Sequence, residues 1–517
     1  MTTERSPRAS AGTRLSEPSR PRRDAPGSPD GPDPLPDDSG GTRRDRAARG
    51  APAGARSRGL ALLACGMLAL APTPLDPARG HAQPPPVAGS RSSDLMGPVD
   101  PGRWMAARDR DAPVQVAPLP EAPRRGSLSR GARVRLVERR GGPGCRAGWG
   151  RLPAPAAWIC VDHLRALTPE ERIDLRGRAR RPTRPAPLPP FPGEGALGTE
   201  DPLPFRYALV AFDALPVYAT ESDVRFGRVH RSLGEGYGVV VVGQRQVAGV
   251  PFVETRRGLL IERSGLRFPA PSGFQGTGFP EGASDGIVPS PWPAWVAPGG
   301  TALRGSGGRV RRRLGRRDLI WLDGMPSEGR GPWLSLAGKE ARVQRRRLNL
   351  PRIPPDELLS EPPSPGERWV AVDVAEQVVV ALEGRRPVWA TLASTGRRAH
   401  PTPLGEHRVW AKLTSSDMGN QERDDVSRTY ALEAVPWVLY FAGSVGFHAT
   451  FWHDDFGRPR SHGCVNLSPL DARWLFRFAR PALPSGWSAV LPTRTSPGTR
   501  VLVWDSTSPD RPGARRP

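Results

Sequence analysis

Proline and glycine set the limits on this chain. They number 63 and 59 in 517 residues, close to the level at which low-complexity stretches are expected. Such a chain is read as several small folded units separated by long linkers. The apolar segments that remain are mostly short and alternate with polar residues, which is the period of half-buried strands. The expected fold class is therefore mainly β.

Charge narrows the partners. The formal net charge is +23, and Lys339 and Lys412 are the only lysines, so nearly all of the positive charge is Arg. Positive charge favours polyanions. A nucleic-acid binder also needs a clustered footprint and a reading motif. The Arg residues read as scattered, with no zinc-finger, RNA-recognition or basic-zipper pattern, so nucleic acid is not an expected partner. An anionic cell-envelope polymer is the partner the charge favours.

Residues 1–58 are rich in Arg, Pro, Gly, Ser and Asp and are read as a disordered basic extension, because they bury too little apolar surface to offset chain entropy. Residues 59–82 follow as a signal-peptide region. The apolar run Gly59–Ala71 comes after Arg56 and Arg58 and ends before Pro72. It is shorter than the ~20 residues that span a bilayer. Gly80-His81-Ala82 offers small residues for cleavage. The run continues past Cys65, which argues against lipidation at that residue. The expectation is export to a periplasmic or wall-facing location, with membrane contact only through the signal segment.

Further along, 83–130 reads as a Pro-rich linker, 131–167 as a small β unit, 168–203 as a linker and 204–268 as a second β unit. A weaker third unit covers 291–350, a Pro-rich linker 351–366, a C-terminal domain 367–505 and a disordered tail 506–517. Cys145 and Cys160 lie on two short strands of the first unit, where an oxidising compartment favours a bridge; two buried free thiols are the alternative. Leu215-Pro-Val-Tyr218 and Thr255–Ile261 resemble bacterial SH3-like modules, so SH3-like barrels are expected upstream. Gly234-Glu-Gly-Tyr-Gly238 precedes a strand and reads as a barrel turn, because a dinucleotide loop lies between a strand and a helix. In the C-terminal domain only Leu470–Arg480 reads as a helix, with Ser468 as N-cap and Pro469 at the first position.

The chemistry concentrates in 447–467. Here His448, His453 and His462 stand beside Cys464, the cysteine left unpaired by a Cys145–Cys160 bridge. A thiol attacks as its thiolate, and a nearby imidazole can take the proton and hold an ion pair. His462 shares a face with Cys464 only if the segment is extended, and His448 must reach it from another strand. Gly463 leaves room for a substrate backbone and frees N–H groups to face an oxyanion. His448, His453, Asp454, Asp455, His462 and Cys464 are also metal-ligand types, but the paired spacing of a His-Glu-x-x-His site is missing. A buried free cysteine with incidental histidines is the remaining alternative.

Ser461-His-Gly-Cys-Val-Asn466, preceded by Phe447-His-Ala449, resembles the L,D-transpeptidase signature. Ser394-Thr-Gly396 and Thr402-Pro-Leu-Gly405 are similar to the early strand and loop of the same family. The resemblance covers about 367–505. It implies an L,D-transpeptidase-type β domain that acts on peptidoglycan stem peptides without a cofactor or a metal. By position it makes Cys464 the nucleophile and His448 the proton donor and acceptor. His462 and Gly463 then shape the thiolate and oxyanion environment. Tyr430, Gly443, Ser444, Ser461 and Asn466 line the substrate groove. Where this chain departs from the family pattern is the crowded Trp452-His453-Asp454-Asp455. The expected reaction is cross-linking through a Cys thioester. An L,D-carboxypeptidase with water as acceptor, and a non-catalytic wall-binding protein, are the alternatives.

Overall fold

The C-terminal domain is built on apolar runs buried on both faces. Arg368–Asp373 pairs antiparallel with Val378–Glu383 and parallel with Arg500–Trp504. Val370, Val372, Val379 and Ala381 enter one core, while Trp369, Ala371, Val378 and Val380 enter another on the opposite face. A strand covered on both sides reads as a nearly continuous apolar run, as both of these do. Arg386–Leu392, Gly405–Arg408 and the short edge strand Thr277–Gly278 complete a six-stranded sheet. The computed structural model describes residues 104–153, 155–171, 202–280, 290–326, 331–419 and 431–508, all within one compact unit, Ser90–Pro517. The basic extension, the signal region with Cys65 and Ala82, and Tyr430 lie outside the described residues.

A second sheet closes over the first. Ala411–Gly419, Ala431–Ala442 and Val445–Ala449 run antiparallel in succession. Val465–Leu467 then joins Val445–Ala449 in parallel. Leu439, Phe441, Phe447, Ala449, Val465 and Leu467 point into the shared core. Helix Pro469–Phe478 packs Ala472, Leu475 and Phe476 into the same core. The Ser468 hydroxyl accepts the Asp471 N–H, with Pro469 in the first turn, so this cap satisfies one of the helix's orphan donors.

Three small β units precede this domain and share one plan. In each, a 3-10 turn leads to a short last strand that pairs antiparallel with the first. Val161–His163 leads to Leu164–Ala166 against Trp104–Ala107. Arg263–Gly265 leads to Leu266–Arg267 against Arg206–Val210. Arg345–Arg347 leads to Leu348–Asn349 against Trp292–Val296. A disulfide joins Cys145 to Cys160 in the first unit.

Two expectations need correction. The region read as a linker, 83–130, contains strands Trp104–Ala107, Ala112–Gln115 and Arg124–Leu128. These are too short, and too broken by Pro113, for a periodic signal. The first two units also pack directly on the C-terminal domain. Arg124–Leu128 pairs with Trp487–Val490 and so extends the C-terminal sheet. In the second unit Tyr207 stacks on Phe451 at 3.9 Å, and its hydroxyl donates to the Ala434 carbonyl at 2.7 Å. In 351–366, Leu358 and Leu359 are buried against the first sheet.

If docking contributes to stability, Tyr207→Phe leaves the buried Ala434 carbonyl unpaired and costs about 1–2 kcal/mol. Phe451→Ala opens a cavity and costs about 3–5 kcal/mol. Denaturant unfolding of the full chain measures both; changes under ~0.5 kcal/mol in each would contradict the packing.

Candidate active site

Strand alternation separates the chemistry from the core. Phe447 pairs with Val465, His448 with Asn466 and Ala449 with Leu467. Partners in a parallel ladder share a face. Phe447, Val465, Ala449 and Leu467 are core residues, so His448, Asn466 and, two positions back, Cys464 project from the opposite face. Gly446 lies across from Cys464, and Tyr440 pairs with Gly446 on the next strand. A Cβ on Gly446 would stand 2.6 Å from the Leu439 carbonyl oxygen, so the strands approach closely only because this residue is glycine.

Desolvation favours a neutral resting pair. Burial pushes the Cys464 thiol up from its ordinary value, opposed in part by a hydrogen bond from the Gly446 backbone. The sulfur's other contact is the Ser444 carbonyl, at 3.8 Å. Burial pushes the His448 imidazole down to about 4. Its Nδ1 faces the Ala449 carbonyl at 3.1 Å. A neutral ring therefore carries its proton on Nδ1 and leaves the Nε2 lone pair free. Desolvation disfavours both charges of an ion pair between them.

The loop before Cys464 is held by its own atoms. Ser461 Oγ donates to the Cys464 carbonyl and accepts the Gly463 N–H. The Gly463 N–H is thus already committed within the loop. Gly463 has φ +118°, so the segment is not extended and His462 does not alternate onto the Cys464 face. His462 is exposed; its Nε2 lies 2.9 Å from Arg397 Nη2, and its ring lies 4.9 Å from the His400 ring. Thr402 Oγ1 donates to the Gly463 carbonyl at 2.8 Å. Ser394 and Asn466 exchange backbone hydrogen bonds of 3.0 and 2.9 Å, which fastens the early loop to the cysteine segment.

A polar chain runs from Asn466 away from the thiol. Its side-chain amide lies 2.9 Å from His453 Nε2, and His453 Nδ1 accepts the Asp455 N–H at 3.2 Å. Burial, then the Arg460 charge, pushes His453 down to about 3. Asp454 and Asp455 are gripped by the third β unit. Arg316 donates to the Asp454 carbonyl at 2.9 Å and to Asp455 Oδ1 at 3.1 Å, and Arg317 donates to Asp454 Oδ2 at 2.5 Å. Arg317 holds φ +67°, a left-handed conformation uncommon for a non-glycine residue.

Residues 367–503 match the YkuD family, described as the L,D-transpeptidase catalytic domain. This part of the chain is an L,D-transpeptidase catalytic domain. The chain matches no curated protein. Among solved structures it is similar to a mutant of the Enterococcus faecium L,D-transpeptidase (21% identity, TM-score 0.21, 27% of this chain and 50% of that one). It is also similar to the catalytic domain of the E. faecium enzyme (23%, 0.21, 27% and 98%) and to an L,D-transpeptidase from Mycobacterium smegmatis (18%, 0.23, 45% and 100%). The chain spans about half the length of the first of these, and at such scores the likeness carries no further argument.

Within the transpeptidase domain the structure brings Cys464, His448, Asn466 and the Gly443–Ser444 turn together, and turns His462 and the Ser461 hydroxyl elsewhere. Sequence reasoning missed Tyr440 and Trp410. Their rings stack at 5.6 Å, and Trp410 donates to the Gly443 carbonyl at 3.0 Å. Burial raises the Tyr440 phenol, with Cys464 adding to the shift. The exposed Trp410 beside a strand end was the available signal. Among the described residues the only close trio of metal-ligand types is Cys145, Cys160 and Asp162, and its two sulfurs are bonded to each other.

A half-buried neutral thiol, raised by desolvation, should alkylate with a pH midpoint above the ordinary ~8.5 of a free thiol. Rates of iodoacetamide modification at Cys464 across pH measure it; a midpoint well below that value would contradict the neutral pair.

Proposed function

We propose that this domain cross-links peptidoglycan stem peptides, with Cys464 as nucleophile and His448 as proton carrier. The observation that carries the reading is the shared face of His448 and Cys464 on adjacent parallel strands. His448 Nε2 takes the thiol proton as Sγ attacks the carbonyl carbon of an L,D bond. The C–N bond breaks, the terminal D-residue leaves with that proton on its amine, and a thioester remains. The amine of a second stem attacks the thioester and gives a proton to His448. The C–S bond breaks, and the proton returns to sulfur. Because the thiol starts neutral, proton transfer accompanies attack.

The surroundings fit the same cycle. The stacked Trp410 and Tyr440 offer an apolar wall beside the sulfur. Asn466 offers an amide held by His453. His462, bonded to Arg397, acts through the shape of its loop. The three upstream units, with their common strand–3-10–strand ending, are SH3-like modules that dock the enzyme on the wall after export.

Muropeptide mass spectrometry with the purified full chain tests this reading. Wild-type protein should yield cross-linked stems and free D-residue, and Cys464→Ala neither. His448→Ala should slow both by a factor of ~10²–10⁴. His462→Ala should slow them less. Trimmed stems without cross-links would instead assign water as the acceptor. Full activity in Cys464→Ala would overturn the mechanism.

A further inference from the structure

The third β unit carries a charge imbalance that the transferase chemistry does not use. Residues 291–350 hold thirteen Arg and Lys against four Asp and Glu. Arg316 and Arg317 bind Asp454 and Asp455, and several of the others gather on one sheet face. Thr301–Arg304 pairs with Val310–Leu314 and with Arg342–Gln344, which pairs with Trp333–Ser335. Leu303, Leu314, Leu334 and Val343 form the inner face of this sheet. Alternation then puts Arg304, Arg313, Arg342, Trp333 and Gln344 on the outer face.

That face is concave. A groove of about 370 Å³ is lined by Arg304, Arg313, Arg347, Trp333, Gln344 and the Gly299–Ala302 backbone, and no acidic residue lines it. One Arg304 nitrogen donates to the Gly308 carbonyl at 2.8 Å. Guanidinium groups that converge without a counter-charge repel one another, and an oxyanion between them relieves this. The guanidinium fork suits a phosphate or a carboxylate. Trp333, half-buried at the rim, adds a flat apolar face, which matches the apolar face of a sugar ring. The volume falls within the range of about 300–1,000 Å³ typical of small-ligand sites.

We propose that this groove binds an oxyanion-bearing saccharide unit, a sugar carrying a phosphate or a carboxylate, as presented by an anionic envelope polymer. The proposal stands apart from the acyl-transfer reading, since none of the groove residues belongs to the Cys464 site. It turns the general excess of Arg into one defined site on one module.

Calorimetric titration of the full chain carrying Cys464→Ala tests binding without turnover. The probes are a phosphorylated disaccharide, a uronic-acid disaccharide, the neutral disaccharide, inorganic phosphate and duplex DNA. One of the two anionic disaccharides should bind at one site per chain, at least about tenfold more tightly than the neutral sugar or phosphate alone. Whichever binds better names the anion. Arg313→Gln with Arg347→Gln should weaken it by about 10²-fold, and Trp333→Ala by about tenfold, with Trp333→Phe restoring most of the loss. Equal binding of neutral and anionic sugars, or affinity unchanged in the Arg variant, would overturn the proposal. So would duplex DNA binding more tightly than either disaccharide, with no effect of Trp333→Ala. The Arg positions are exposed, so circular dichroism of that variant should match the parent and keep the result interpretable.

Discussion

The parallel pairing of Val445–Ala449 with Val465–Leu467 is the constraint on which the site depends. It sets His448 beside Asn466 and puts Cys464 on their face, while Phe447 and Val465 anchor the same two strands in the core. Side chains alternate with period two, so a slip of one residue would turn the thiol inward and a core valine outward. The apolar partners make that slip costly. Gly446 lets the neighbouring strand close in, and Ser394 pairs with Asn466 from the other side. The reactive residues are thus placed by the packing of residues that do no chemistry.

Burial has a price in charge. Desolvation raises the half-buried Cys464 thiol and lowers the buried His448 imidazole, which favours a neutral pair at rest and proton transfer at the moment of attack. The upstream units extend the same logic outward. Arg316 and Arg317 hold Asp454 and Asp455, His453 follows from that loop, and Asn466 follows from His453. A module far away in sequence therefore helps to fix the amide next to the nucleophile.

Much of this was legible in the chain. Ser461–Asn466 announced the chemistry, Trp369–Asp373 and Gln377–Leu382 announced paired strands, and Ser468-Pro469 announced the helix start. Each of these is a local pattern. What escaped was non-local. The strands at 104–128 are short and broken by proline, and they become strands by pairing with partners such as Trp487–Val490 hundreds of residues away. Tyr440 reaches the site by register across two strands, which no spacing in the sequence encodes. The bond from the Gly463 N–H to Ser461 follows from the loop's own turn, and the charge state of Cys464 depends on burial that only the packed fold defines.

The central claim is that Cys464, served by His448, carries the acyl group. Intact-mass measurement of the full chain mixed with a stem tetrapeptide, followed by peptide mapping, tests it most directly. The account predicts a transient adduct on Cys464 equal to the stem less its terminal D-residue, labile to hydroxylamine, and formed far more slowly in His448→Ala. An adduct on another residue, or turnover with no acyl group ever found on Cys464, would contradict it.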